Sequence, residues 1–268
     1  MAHETSGFDF ATVGDNCVDR YLATGLSAIG GNALNVAVQL ARLGRRVAYF
    51  GAVGDDAAGR RTVRVLAENG VIVDHVRVLD GVTAYTEIGQ TPDGDRIIGF
   101  EEFGVCRGYR PTNAQVALLE AARHVHIGWF DDGGALRRTL AAAGTSVSQD
   151  LAVNKGADGL AVAFDSAGED ADRAEALIRA ALGEGARIAV VTRGADGSLA
   201  SDGRTRAATG IKPVEVVDTT GAGDTFVAGF LAAHVDGLPL QACLEAGRDA
   251  AAGTCTHFGG FPQVQEPF

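Results

Sequence analysis

The chain of 268 residues carries 34 acidic and 23 basic side chains, a formal charge of −11, and its only lysines are Lys155 and Lys212. That balance excludes a general nucleic-acid or anionic-membrane binder, whose affinity comes from excess Lys and Arg, and no apolar run approaches the ~20 residues of a membrane span. Neither lysine follows glycine in a Gly-Lys-Ser/Thr setting, so phosphate chemistry has to rest on backbone amides, arginine or metal.

In chain order, residues 8–13 form an apolar run ending at Gly14 and predict a buried strand. Residues 33–43 are apolar at helical spacing, and Gly44 closes that helix. Residues 47–53 predict the next strand and 57–69 a helix, an alternation that implies a parallel sheet with helices on its faces. The rhythm breaks at 80–103, where extended runs at 82–90 and 95–103 flank Thr91-Pro92-Asp93-Gly94-Asp95. Pro sets φ and Gly tolerates positive φ, so this is a hairpin outside the main sheet, a lid or an oligomer contact. Alternation then resumes. Helices fit 113–121, 135–143, 167–182, 224–235 and 240–254; strands fit 125–129, 147–150, 160–164 and 188–192. A second hairpin spans 197–201 and 205–208. The fold class expected is α/β, one doubly wound, mostly parallel sheet with helices on both faces and a small β lid. Four scattered cysteines without a CxxC pair suit reduced thiols, and the start lacks a secretory signal, so a cytoplasmic protein is expected.

Residues 214–218 predict a strand, and a helix follows Asp218-Thr219-Thr220-Gly221-Ala222-Gly223-Asp224. Beyond the carboxyl end of a parallel strand such a turn sits where ligands bind. Gly221 and Gly223 let successive amides converge on one anion, and the helix adds its positive end. Asp224 would repel a phosphate there unless it deprotonates an attacking hydroxyl; a helix cap is the plain alternative. His124 and His126 alternate on a strand without a third ligand at suggestive spacing, so packing is expected over metal binding.

The 218–230 segment closely resembles the C-terminal signature of the PfkB (ribokinase-like) sugar kinases, and Gly30-Gly31-Asn32-Ala33-Leu34-Asn35 resembles their first signature. The resemblance covers nearly the whole chain and implies a single domain over 1–268, with lid strands within about 20–24 and 81–103. It implies Asp224 as the base and Gly221, Ala222 and Gly223 as the anion hole for the transferred phosphate. Asp15, Asp19, Gly30, Gly31, Asn32 and Asn35 are implied to bind the sugar. Asp218 is implied to support the loop or a magnesium-bound water. Thr192-Arg193-Gly194-Ala195-Asp196-Gly197 resembles the nucleotide loop, so Thr192, Gly194, Gly197 and Thr220 are implied to line ATP, and the stretch at His257–Gly260 to border adenine. Where the family has Asn-x-x-Glu this chain has Ser166-Ala167-Gly168-Glu169, leaving Glu169 for the Mg2+ environment. The connection from Asp150 to Leu160 is shorter than in close relatives.

The resemblance thus implies an ATP- and Mg2+-dependent kinase, open to a monovalent cation, acting on a small sugar and pairing through its lid as a homodimer. The 13–19 segment is most similar to fructoselysine 6-kinases, so fructoselysine or a related fructosamine is the expected acceptor. A ketohexose, 2-keto-3-deoxygluconate or a nucleoside is the runner-up, and a non-catalytic sugar-binding regulator the rival from another class. A dinucleotide site needs a third glycine where Phe226 stands.

Overall fold

The computed structural model describes residues 7–90 and 96–268. In chain order its elements are β1 (Phe10–Val13), β2 (Cys17–Tyr21), β3 (Leu26–Gly30), α1 (Asn32–Arg42), β4 (Val47–Phe50), β5 (Ala52–Gly54), α2 (Ala57–Glu68), β6 (Arg77–Leu79), β7 (Tyr85–Gln90), β8 (Arg96–Glu102) and α3 (Asn113–Glu120). Then follow β9 (His124–Ile127), α4 (Ala135–Ala142), β10 (Val147–Asp150), β11 (Val162–Ser166), α5 (Ala171–Glu184), β12 (Ile188–Thr192), β13 (Ser198–Ser201), β14 (Arg206–Thr209), α6 (Ala222–Val235), α7 (Leu240–Thr254) and β15 (Glu266–Pro267).

Eight strands form the main sheet in the order β14-β13-β12-β11-β10-β9-β1-β4, parallel from β12 to β4 and antiparallel across the β13 and β14 hairpin. Alternation along the strands divides two cores. Phe10, Tyr49, Phe164 and Val190 face α1, α6 and α7, whereas Ala11, Phe50, Ala163 and Val191 face α3, α4 and α5. The α/β class expected from the sequence is therefore the observed one. A second sheet, in the order β15-β3-β2-β7-β8, forms the lid. Its β7–β8 pair is the expected hairpin; the Pro-Asp-Gly turn that joins it lies outside the described residues.

The structure corrects four boundaries. Residues 47–53 are two strands, because β4 pairs with β1 and β5 leaves to pair with β6. The helix expected from 167 starts at Ala171, where the Asp170 carboxylate accepts the Arg173 amide and caps it. The lid strands near 20–24 are β2 and β3, and the stretch between them is their turn. Residues 214–218 form no strand. Among the described residues no strand pairs with them; the amides of Val217 and Asp218 bond the Cys255 carbonyl, and Val216 and Val217 stay exposed.

The edge of the lid is tied down from the far end of the chain. The Gln263 side chain donates to the Ile29 carbonyl and accepts from its amide, both at 2.7 Å, taking the place of a strand residue. Buried Arg61 donates to Ser27 Oγ at 2.7 Å, to the Ser27 carbonyl at 2.9 Å and to the Val264 carbonyl at 3.2 Å.

Beneath α6 runs a buried polar chain. The rings of His124 and His126 both bond Ser148 Oγ, at 2.8 and 2.9 Å, and the second nitrogen of His124 bonds Ser146 Oγ at 3.0 Å. These histidines therefore pack with serines, as the sequence led us to expect. Burial pushes His126 down to about 3. Below the ordinary histidine value the unfolded chain takes a proton that the folded chain refuses, so this stability contribution is lost as pH falls from about 6.5 toward 3. Between pH 7 and 5 the loss is about 2 kcal/mol for this one residue. The His126→Leu variant is expected to lose that much less than the parent over the same interval, measured by urea denaturation at the two pH values.

Candidate active site

Helix α6 begins with the glycine-rich turn. Gly221 adopts φ 73° as its N-cap, and a Cβ there would strike the Gly260 backbone, so both its conformation and its surroundings require glycine. The Ala222 amide turns back to the Thr219 carbonyl at 3.2 Å. The amides of Gly221, Gly223 and Asp224 have no acceptor among the described residues, which leaves converging donors at a positive helix end. Asp218 braces this turn: it is buried, and its carboxylate accepts the amides of Thr220 at 2.9 Å and Gly259 at 2.7 Å.

Asp224, in the first turn of α6, is held from α1. Asn32 Nδ2 donates to one carboxylate oxygen and Asn35 Nδ2 to the other, each at 2.7 Å. The second contact explains why Asn35, a buried polar residue of α1, stands there. Asn32 Nδ2 also donates to Asp150 Oδ2 at 3.0 Å, so one amide bridges two carboxylates. Asp15 orients that amide from behind by accepting the backbone N–H groups of Asn32 at 2.8 Å, Ala33 at 3.0 Å and Trp129 at 3.2 Å. Burial raises the pKa of Asp224 well above the usual carboxylate range; the bonds from Asn35 and Asn32 oppose the shift, and the charges of Asp150 and Asp15 add to it. Burial likewise raises Asp150 and Asp15.

The lid supplies Asp19 from β2. Its carboxylate lies over Gly30, where a Cβ would meet Oδ2 at 2.8 Å and Asn35 Oδ1 at 3.9 Å, so Asp19, Gly30 and Asn35 form one cluster. Gly31 is the N-cap of α1 beside them. Thr192 ends β12, and Gly194 and Gly197 bound the short turn leading to β13. Glu169 stands against this turn, its Cγ 3.9 Å from the position of a Gly194 Cβ. Phe258 is exposed, next to the Gly259 amide that Asp218 holds. Among the described residues no three His, Cys, Asp or Glu side chains converge to hold a metal, and no helix is long and apolar enough to cross a membrane.

This arrangement sets a carboxylate with a raised pKa beside donors suited to phosphate, with acids and amides for hydroxyl groups facing it. Comparison with known proteins agrees. The description "pfkB family carbohydrate kinase" matches residues 13–143 and 155–265. The chain belongs to the pfkB family of carbohydrate kinases. It is 34% identical over 258 residues to fructoselysine 6-kinase of Escherichia coli (strain K12), covering 94% of this chain and 98% of that one. To a fructosamine kinase of Bacillus subtilis (strain 168) it is 32% identical over 263 residues, 93% of this chain and 91% of that one. The fold of Arabidopsis thaliana ribokinase, solved with ribose and ATP, superposes with a TM-score of 0.86 at 22% identity over 94% of each chain.

The cluster around Asp224 also contains Asp150, the last residue of β10, through its bond from Asn32. The signal available was an acid at the carboxyl end of a parallel strand, where ligands gather. Its partner Asn32 lies 118 positions away.

Proposed function

We propose that the chain transfers the γ-phosphate of ATP to a primary hydroxyl of a ketose-type sugar, with fructoselysine or a related fructosamine as acceptor. The observation that carries this reading is Asp224: a carboxylate gripped by Asn32 and Asn35 beside the unpaired amides of Gly221 and Gly223. Binding alone does not require a base beside an anion site. The curated relatives that cover nearly the whole chain support the choice of acceptor.

Asp224 takes the hydroxyl proton as the sugar oxygen bonds to the γ-phosphorus and the bond to ADP breaks. The free amides of the turn spread the charge of the transferring group. Asp19, Gly30, Gly31, Asn32 and Asn35 bind the sugar, and Asp15 acts by fixing the start of α1. Thr192, Gly194, Gly197 and Thr220 line the nucleotide. Mg2+ is held largely by phosphates and water with one or two carboxylates; Glu169, against the nucleotide turn, would be such a carboxylate, and the ion would neutralise phosphate charge. Ile98 and Phe100 stand exposed on the lid strand β8 and offer the apolar contact for a second copy.

ADP release measured over a panel of sugars, fructosamines, sugar acids and nucleosides tests this reading. Turnover with fructosamines above that with fructose is expected; no ADP with any acceptor, alongside tight sugar binding, would make the chain a regulator. A pH profile tests the base. Because the charge of Asp150 raises the pKa of Asp224, Asp150→Asn is expected to move the acid limb of kcat/KM to lower pH.

A further inference from the structure

A cleft of about 320 Å³ opens beyond the ends of β9 and β10, between Trp129, Phe130, Val153, Asn154 and Lys155. In the order of strands it lies on the opposite side of β11 from the nucleotide turn after β12. It lies beside the start of α1: a Cβ on Gly128, the residue before Trp129, would meet Asn32 Oδ1 at 2.8 Å. The Trp129 amide bonds Asp15, the Asn154 side chain bridges the Gly128 carbonyl and the Phe130 amide, and Gln149 in its floor precedes Asp150. Asn32 thus stands between Asp224, which it bonds, and the chain segment that enters the cleft wall.

The lining defines what can enter. Trp129, stacked on Phe103 with ring centroids 4.3 Å apart, and Val153 form apolar walls suited to an alkyl stem. The acids that line it are engaged. Asp131 accepts from Arg110 at 2.7 Å and the Gly108 amide at 2.9 Å, and Asp132 from the amides of Gly134 at 2.8 Å and Leu136 at 2.6 Å. Arg137 is spent on the Asp158 carboxylate and the carbonyls of Lys155 and Gly156. Lys155 is exposed, its ammonium reaches only the Leu151 carbonyl at 3.4 Å, and it forms no ion pair among the described residues. Of the two cations in this lining, Arg137 is paired with a carboxylate, and Lys155 is the one that no carboxylate holds among the described residues.

We propose that the cleft receives a carboxylate-bearing alkylamino substituent on the sugar carbon remote from the phosphorylated hydroxyl, with Lys155 as the residue that selects for the carboxylate. This rests on the fructosamine reading above and assigns the amino-acid end of such a substrate to its own subsite.

The test compares three sugars on the intact protein by titration calorimetry and ADP release. They are fructose, fructose joined through its C1 to the ε-nitrogen of lysine, and the same conjugate lacking the carboxylate. In Lys155→Met the Kd and KM for the lysine conjugate are expected to rise about tenfold, the worth of one charge-assisted bond. The decarboxylated conjugate is expected to be unaffected, kcat to hold, and Lys155→Arg to restore affinity. Equal effects on both conjugates, or none on either, overturn the assignment of Lys155 while leaving fructosamine turnover intact. Turnover or binding of fructose with no N-substituted sugar accepted overturns the acceptor reading itself, and the subsite with it.

Discussion

The Asp224→Asn variant is expected to lose about 10²–10⁴ in kcat, the typical worth of a positioned general base, and at the same time to gain thermal stability at pH 8. The carboxylate is held at both oxygens, so its loss removes proton acceptance without removing the scaffold that presents it. An asparagine fits the same place. The Oδ1 atoms of Asn32 and Asn35 are buried without a partner, so a flipped amide on either residue can accept from the new Nδ2. The stability gain follows from the raised pKa of Asp224. A folded-state pKa above the unfolded value means the ionised carboxylate destabilises the folded chain, increasingly as pH rises from about 3.9. Asparagine carries no such cost, so its advantage is larger at pH 8 than at pH 5. A rise in Tm of about 2–4 °C at pH 8 corresponds to ~1 kcal/mol in a domain of this size. Scanning calorimetry at the two pH values, beside steady-state kinetics, checks both halves. A variant that is folded and turns over like the parent contradicts the role of Asp224.

Gly221→Ala is the second large effect, and it acts through the backbone. At φ 73° a methyl group is strained, and here it also lands on the backbone of Gly260. Gly260 is itself packed against Asn35, so displacing it disturbs the group that grips Asp224. A loss of about 10²–10³ in kcat is expected, the range seen when one anion-hole donor is removed, together with about 1–3 kcal/mol of stability. Gly223 supplies the contrast. A Cβ there meets nothing within 4 Å and its φ is not positive, so Gly223→Ala is expected to keep the parent's denaturation midpoint. Equal destabilisation by the two substitutions would show that the strain argument is misplaced.

The parts of this site carried by local pattern were legible in the sequence. The helical spacing of 33–43, the glycine-rich turn before Asp224 and the alternating strands all obey rules that operate over a few residues. So does the Pro-Asp-Gly hairpin. What was not legible depends on residues far apart in the chain. Asp150 matters because Asn32 reaches it across the sheet. Asp15 reads in sequence as an acid facing sugar, yet its carboxylate is taken up by three backbone amides, two at the start of α1 and one after β9. The lid edge is completed by Gln263 and Glu266, more than two hundred residues from the strand they join. Residues 214–218 fail in the opposite sense. Their valines have strand character, but strand propensity is realised only beside a partner, and among the described residues no strand pairs with them.

The most direct test is to identify the product. With ATP, Mg2+ and fructose joined to the ε-nitrogen of lysine, phosphorus NMR of the reaction mixture is expected to show one new phosphomonoester, coupled to the protons of the sugar's terminal CH2. Its appearance should be stoichiometric with ADP and slowed about 10²–10⁴-fold in Asp224→Asn. A phosphoester on a secondary hydroxyl, or ADP formed with no phosphorylated sugar, would contradict the proposal that Asp224 deprotonates a primary hydroxyl held between α1 and the lid.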